Sequence, residues 1–403
     1  MPTPLSEETI ALVKASVPAL AAHGPVITTT MYRRLFENAA IRALFNQAHQ
    51  ERGAQPLALA GAILAYAQNI DNLGALGPAV ERMAQKHVGY HILPEHYPFV
   101  AEALLGAIAE VLGEAATPEL IKAWGEAYWF LAGLLTTREA EIRDEIESRE
   151  GGWNGWRKFV VADKVRESSV ITSFVLRPAE GGAVLRHKPG QYLTIRFGAP
   201  GETQMKRNYS ISCGPNGERY RITVKREVSG NGGSRFLHDQ VQVGDVIEAT
   251  PPAGEFFLSD APQRPVVLLS GGVGLTPMVS MLEKIVAHHP GLQTHYVHAA
   301  LNSATHAMDH QVKALAAQHG RISVTTFYSE PQDGDELDRT HDVTGFITAE
   351  WLRENTPLQT ADVFLCGPKP FLRALVSGLS ASGVASGQIH YEFFGPTDEL
   401  LAA

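Results

Sequence analysis

At 403 residues the chain exceeds one ordinary domain, and 44% hydrophobic against 19% charged residues leaves ample material for packed cores. Its 34 Lys plus Arg against 43 Asp plus Glu give a net charge of -9, which argues against nucleic acid as the main partner because a phosphate backbone requires a basic face. The two cysteines, Cys213 and Cys366, are too few and too far apart for a secreted disulfide framework and fit a reducing cytosol.

The N-terminus shows no basic stretch followed by an apolar one, so no signal peptide is expected. The longest apolar run, Leu57 to Ala67, is Ala-rich and short of the roughly 18 residues of a membrane span. It predicts a buried core helix in a soluble, cytoplasmic protein with no transmembrane segment. Ser6 is a candidate N-cap followed by Glu7 and Glu8, and Ile10, Val13, Val17 and Leu20 continue at helical spacing. Further on, Thr117 and Pro118 open a helix with Leu120, Trp124, Ala127, Leu131 and Leu134 on one face. It runs into the charged segment Arg138 to Glu150 and stops at Gly151-Gly152. Residues 1–149 therefore predict an all-α domain.

Residues 150–262 change to short β-branched and aromatic runs at Val170 to Leu176, Gln191 to Phe197, Tyr209 to Ile211 and Tyr220 to Lys225, with a turn at Pro215-Asn216-Gly217. They predict an antiparallel β-barrel. Residues 263–403 alternate short apolar strands with helices: Val266 to Leu269, His295 to His298, Ile322 to Phe327 and Val363 to Leu365 predict an α/β parallel sheet.

Directly after the first of those strands comes Ser270-Gly271-Gly272-Val273-Gly274-Leu275-Thr276-Pro277. Glycines admit a phosphate close to the backbone, a helix N-terminus attracts anions, and Thr276 with Pro277 can cap and start that helix. A turn of this kind also serves as a plain strand-to-helix connection. Its neighbours add meaning. Arg207-Asn208-Tyr209-Ser210 resembles the flavin motif of the ferredoxin reductase superfamily, as do Pro189-Gly190-Gln191-Tyr192, Gly232-Gly233-Ser234 and Cys366-Gly367-Pro368 in the same order. The resemblance implies FAD and a nicotinamide nucleotide. Arg207 would pair with the flavin pyrophosphate, Tyr209 would offer an aromatic face, Ser210 a hydroxyl, and Ser234 would meet the pyrophosphate at a short helix. Tyr192 and Asn208 fall in the flavin motifs, Asn208 where the family has Gln.

A helical domain ahead of a flavin reductase calls for an electron acceptor. Two cysteines cannot hold an all-cysteine iron–sulfur cluster, whereas a haem needs only one axial histidine. Composition cannot choose among sixteen histidines. Ala84-Gln85-Lys86-His87, with Tyr97 ten residues on, resembles the proximal segment of bacterial flavohaemoglobins, and the likeness extends from about residue 5 to 396. It implies His87 as the iron ligand of one haem b, with Tyr97 and Glu139 holding its other nitrogen. On the distal side it implies Tyr32, in Met31-Tyr32-Arg33, and Gln55 as donors, with Leu59 and Phe45 against the haem. The closing segment His390-Tyr391-Glu392-Phe393-Phe394-Gly395-Pro396 resembles the strand that covers the flavin, Phe394 being the candidate cover. Lys86 and Glu392 lie, in the family, near the route between the cofactors. Trp129 and Phe130 are bulkier than the family's residues there and leave the haem-pocket shape open.

The activity so implied is a nitric oxide dioxygenase: NADH or NADPH reduces FAD, FAD reduces haem, and nitric oxide with dioxygen gives nitrate. The alternatives are a hydroperoxide reductase with the same cofactors, or an oxygen- or lipid-binding globin whose reductase keeps iron ferrous. The expected partners are small molecules, with lipid in the haem pocket as a further class, and the expected state is a monomer.

Overall fold

The computed structural model describes residues 4–42, 54–197, 205–228 and 232–394. The chain forms two compact units, one made of the residues up to Ser148 together with Met205 and Lys206, the other of the remaining described residues from Arg149 onward.

The first unit is helical. Ser6 caps the helix Glu7–Ala15, its hydroxyl accepting from the Thr9 N–H at 3.0 Å. One expectation is corrected here, because Val17 and Leu20 do not continue that helix. A second helix, Val17–Leu35, starts after Ser16 at an angle of 66°. The break has a local cause. Pro18 stands in the first turn of the second helix, and the buried Ser16 hydroxyl donates to the Val13 carbonyl at 2.6 Å. The same oxygen accepts from Trp124 Nε1 at 3.2 Å, which satisfies the buried indole. The helices Ala39–Arg42, Ala54–Gln68, Gly77–Gly89, Tyr97–Leu112 and Pro118–Glu147 complete the unit. Thr117 caps the last of them as expected, accepting from Leu120 N–H, and Pro118 occupies its first position. Val13, Ile27, Met31, Leu104, Ile108 and Trp124 form the main core. A smaller cluster of Ala84, Val88, Tyr97, Ala132, Leu135 and Ile142 packs the Gly77–Gly89 helix on Pro118–Glu147. No single helix among the described residues is long and apolar enough to cross a membrane.

The second unit holds two sheets. Strands β1 (Arg157–Arg166), β2 (Ile171–Pro178), β3 (Tyr192–Phe197), β4 (Met205–Ser210), β5 (Tyr220–Lys225) and β6 (Val246–Ala249) form an antiparallel sheet in the order β4-β3-β6-β1-β2-β5. A bridge from Ile211, just past β4, to Ile222 in β5 joins the two edges into a barrel. The turn at Pro215-Asn216-Gly217 is present, with Asn216 Oδ1 accepting from the N–H groups of Glu218 and Arg219 at 2.8 and 2.9 Å.

The other sheet contains β7 (Val266–Gly271), β8 (Thr294–Ala300), β9 (Ile322–Tyr328), β10 (Val343–Thr344), β11 (Asp362–Cys366) and β12 (Ile389–Glu392), all parallel, in the order β10-β9-β8-β7-β11-β12. The chain runs outward from β7 to β10, then returns to the other side of β7 as β11. The loops leaving β7 and β11 therefore flank a topological switch point, where open α/β sheets bind their ligands. The helix Leu275–His288 covers one face, its Leu275, Met278 and Leu282 packing on Val266, Leu268 and Phe364.

Candidate functional site

His87 sits in the last turn of the Gly77–Gly89 helix. That helix ends where His91 enters the left-handed region (φ 55°) and the Ile92 N–H bonds back to the His87 carbonyl at 2.8 Å. His87 Nδ1 lies 2.7 Å from Glu139 Oε1 and 3.0 Å from the Tyr97 hydroxyl, and that hydroxyl lies 2.5 Å from the same carboxylate oxygen. Burial first, and then the bond to Glu139, push the Tyr97 phenol well above its ordinary range. Tyr97 thus keeps its proton and donates it to Glu139. A carboxylate only accepts, so the imidazole proton belongs on Nδ1 and the lone pair on Nε2. An imidazole fixed by a carboxylate on one nitrogen, with the other nitrogen's lone pair available, is the arrangement an iron ligand needs. The donor set fits a haem.

Glu139 is fully buried, whereas the His87 side chain is one-third exposed. Arg143, one turn further along the Pro118–Glu147 helix, approaches the other Glu139 oxygen at 3.6 Å and donates to the Ile92 carbonyl. It offsets a carboxylate charge that would be costly to bury alone. The sequence reading overlooked Arg143. The available signal was its i,i+4 spacing from Glu139.

Tyr32 is buried in the Val17–Leu35 helix, its ring 5.5 Å from Phe36. Burial raises its phenol well above the ordinary range. Leu59 packs against the main core. Phe45 and the side chain of Gln55 lie outside the described residues. Trp129 is 49% exposed and meets Tyr128 edge-on at 5.4 Å, so its bulk is not absorbed by the packed core. Lys86 is exposed.

In the barrel, β4 brings Arg207, Asn208, Tyr209 and Ser210 out in sequence, with Ser210 buried and Tyr209 partly so. Burial raises the Tyr209 phenol, and the Arg207 charge opposes that shift. Arg207 lies across the Gly232-Gly233 segment: a Cβ on Gly233 would sit 3.1 Å from Arg207 Cγ. Two of the segments singled out for a pyrophosphate are therefore adjacent. Ser234, in the helix Gly233–Asp239, uses its hydroxyl to accept the Glu227 N–H at 3.1 Å. Asn208 Oδ1 accepts from Thr194 of β3 at 3.1 Å, a tie through the side chain that the sequence did not reveal. The Tyr192 ring lies against Gly254. If Arg207 holds FAD, losing one bond to a charged group costs about 1.5–3 kcal/mol, and Arg207→Ala should lose FAD affinity by roughly tenfold or more. Flavin content after gel filtration and a flavin titration check this, and unchanged affinity would remove Arg207 from the site.

At the switch point, Gly271 ends β7 and Gly272–Gly274 form a single 3-10 turn that runs straight into the helix Leu275–His288. This corrects the placement of the cap. Gly274, not Thr276, stands at the N-cap, because the tight turn has already bent the chain into helical geometry. Thr276 is buried in the first turn and donates to the Val273 carbonyl at 3.2 Å. Leu275 belongs to the core, while Gly272 and Val273 remain partly open. Gly274 has no room for a side chain: a Cβ would stand 2.1 Å from the Cys366 carbonyl oxygen. The Gly-rich loop and Cys366-Gly367-Pro368 are thus pressed together. In β12, Glu392 pairs with Cys366, and just beyond the strand Phe393 is partly buried and Phe394 is 48% exposed. Gly395 and Pro396 lie outside the described residues.

Comparison with known proteins agrees with this division. Residues 29–133 match the globin family, 158–258 the oxidoreductase FAD-binding domain and 268–377 the oxidoreductase NAD-binding domain. The class is an oxidoreductase in which a haem-binding globin is joined to an FAD- and NAD-binding reductase. The chain is 58% identical, over 403 residues and 100% of both chains, to the flavohemoprotein of Xylella fastidiosa strain 9a5c. It is 46% identical to that of Rhodopirellula baltica, over 99% of this chain and 100% of the other. It belongs to the flavohaemoprotein family. The crystal structure of a flavohemoglobin from Malassezia yamatoensis with bound FAD and heme is similar at a TM-score of 0.85 and 27% identity, covering 98% of this chain and 100% of that one. The FAD/NAD-binding domain of a nitric oxide dioxygenase from Vibrio cholerae is similar at a TM-score of 0.54 and 38% identity, covering 62% of this chain and 100% of that one.

Proposed function

We propose that the protein is an NAD(P)H-dependent nitric oxide dioxygenase, with His87 as haem ligand and Tyr32 as distal donor. The observation that carries it is the His87–Glu139–Tyr97 triangle in a chain that has its own reductase. The Vibrio cholerae relative, named for this activity, supports it. When bound, nicotinamide, FAD and haem supply hydride uptake, single-electron transfer and the oxidation of nitric oxide to nitrate.

The chain's own part is electrostatic. Glu139, accepting from His87 Nδ1, raises the basicity of Nε2 and fixes the ring plane. Tyr97, protonated at any physiological pH, holds the carboxylate in line, and Arg143 balances its charge. Tyr32 is likewise kept protonated by burial, the state a distal hydrogen-bond donor requires. Arg207 supplies a fixed positive charge for a pyrophosphate, and the turn at Gly272–Gly274 exposes backbone at a helix start for the nucleotide.

Purified protein given NADH, dioxygen and nitric oxide should consume nitric oxide and accumulate nitrate in equal amounts. In Tyr32→Phe a charge-assisted hydrogen bond worth about 1.5–3 kcal/mol is gone. Dioxygen dissociation should then rise by one to two orders of magnitude, roughly tenfold per 1.4 kcal/mol, while flavin reduction stays unchanged. A dissociation rate within about twofold of wild type, under a third of that energy, would take Tyr32 off the distal side.

A further inference from the structure

The barrel and the parallel sheet belong to one compact unit, and one helix is fastened to both. The helix Leu275–His288 begins at the Gly-rich turn. One turn apart on it stand Ser280 and Glu283, and both reach the loop that leaves β4 three residues after Ser210. The Cys213 carbonyl accepts from the Ser280 hydroxyl at 2.7 Å and from His187 Nε2 at 3.0 Å. The next N–H, that of Gly214, donates to Glu283 Oε2 at 2.6 Å. The other Glu283 oxygen accepts from Arg221 of β5 at 3.1 Å and from Gln311 at 2.7 Å. Arg221 in turn donates to the Ser212 carbonyl and, at 3.1 Å, to Gln311 Oε1.

These contacts are largely shielded from water. The side chains of Glu283 and Arg221 are 24% and 16% exposed. His187 is buried, and burial pushes its imidazole down to about 3, so it is neutral and its Nε2–H donates. The same helix bears on a third barrel segment through Met281. A Cβ on Gly190 would lie 2.8 Å from Met281 Cε and 2.3 Å from the Phe256 carbonyl, so only glycine admits this approach. The strand carrying Arg207, Tyr209 and Ser210 and the turn offered to the nucleotide thus share one rigid connector. It is polar, directional and made at two successive residues, which fixes register as well as distance.

We propose that Glu283, seconded by Ser280, is a positioning residue that sets the nicotinamide face against the flavin for hydride transfer. The inference rests on the reading that a reduced nicotinamide reduces the bound flavin. In that step a hydride leaves nicotinamide with both electrons of its C–H bond and forms an N–H bond on flavin, oxidising the one and reducing the other. Hydride transfer is steep in distance and angle, and a displacement of about 1 Å costs on the order of a hundredfold in rate. Binding of either cofactor alone uses groups within one lobe and is less sensitive to the connector.

The test uses the full-length holoprotein and its Glu283→Gln, Glu283→Ala and Ser280→Ala variants. Anaerobic stopped-flow mixing with saturating NADH reads flavin reduction, and a titration with NAD+ reads affinity. Hydrogen exchange of the peptide containing Gly214 reads the connector directly. Glu283→Ala should slow flavin reduction by about tenfold or more, with NAD+ affinity within about threefold, a smaller loss than one charged hydrogen bond represents. Gly214 should exchange faster, and the long-wavelength charge-transfer band seen on mixing should weaken. Glu283→Gln, which retains one acceptor oxygen, should recover part of the rate. Should Glu283→Ala not fold, the Gln and Ser280 variants carry the same comparison. Unchanged reduction rates despite faster Gly214 exchange would overturn the proposal, as would a loss confined to NAD+ affinity. Failure of the wild-type flavin to be reduced by NADH or NADPH would instead strike the functional reading itself.

Discussion

His87→Ala is expected to purify with its flavin and without a normal haem absorption band. The histidine has its Nδ1 engaged by a buried carboxylate while its side chain stays one-third exposed. Removing it deletes the nitrogen that the Glu139–Tyr97 pair orients, and it leaves a fully buried carboxylate with Tyr97 and Arg143 as its remaining partners. Breaking such a buried network costs about 3–5 kcal/mol, so the variant should also melt lower, whereas flavin content, which depends on the second unit, should remain near one per chain. Tyr97→Phe provides the graded comparison: it keeps the ring and removes one donor to Glu139, so haem should bind with an altered reduction potential. A normal haem spectrum in His87→Ala would move the ligand elsewhere.

Gly274→Ala should be the most damaging single methyl group in the nucleotide lobe. Its Cβ would lie 2.1, 2.4 and 2.8 Å from Cys366 O, Cys366 C and Gly367 N, all backbone atoms that no rotamer change can clear. Either the turn or the loop after β11 must move, and overpacking of this kind costs about 1–3 kcal/mol. Both segments border the switch point, so the displacement falls on the nucleotide site. NAD+ affinity should drop by at least roughly tenfold, with a lower melting temperature and FAD retention unchanged. Gly272→Ala, where a Cβ would meet nothing within 4 Å but the backbone is left-handed (φ 54°), separates strain from collision. Wild-type NAD+ affinity in Gly274→Ala would show that the loop pair yields without touching the nucleotide.

Much of this was legible in the sequence. Caps at Ser6 and Thr117 and the apolar spacing after them are local signals, and the helices begin where those signals fall. Strand β1 was not read, because its buried residues are confined to Phe159 and Val161 and charges occupy both ends. Its register also slips between Val161 and Asp163, which breaks the two-residue alternation. Strand β6 has only four residues, too few to show a period. The helix break at Ser16 is announced locally by Pro18, but the indole that the buried Ser16 oxygen satisfies comes from Trp124, more than a hundred residues away. The same holds for the site. The resemblance picked out His87, Tyr97 and Glu139, and the i,i+4 spacing of Arg143 from Glu139 was there to be read, but the fastening of Gly214 by Glu283 is a consequence of tertiary packing.

The position of β6 bears on how the protein is made. This strand lies between β3 and β1 and pairs with both, yet it is the last of its sheet to leave the ribosome. Until Val246–Ala249 emerge, β1 and β3 have no shared neighbour, and the apolar faces of some ninety preceding residues lack their central seam. The barrel therefore cannot be completed strand by strand during synthesis; it closes in one late step, after a long stretch of chain has waited. The helical unit, whose described helices all end by Glu147, has no such delay. A nascent chain halted before residue 246 should hold a folded N-terminal unit followed by a protease-sensitive, chaperone-dependent segment, and one released just beyond residue 249 should not.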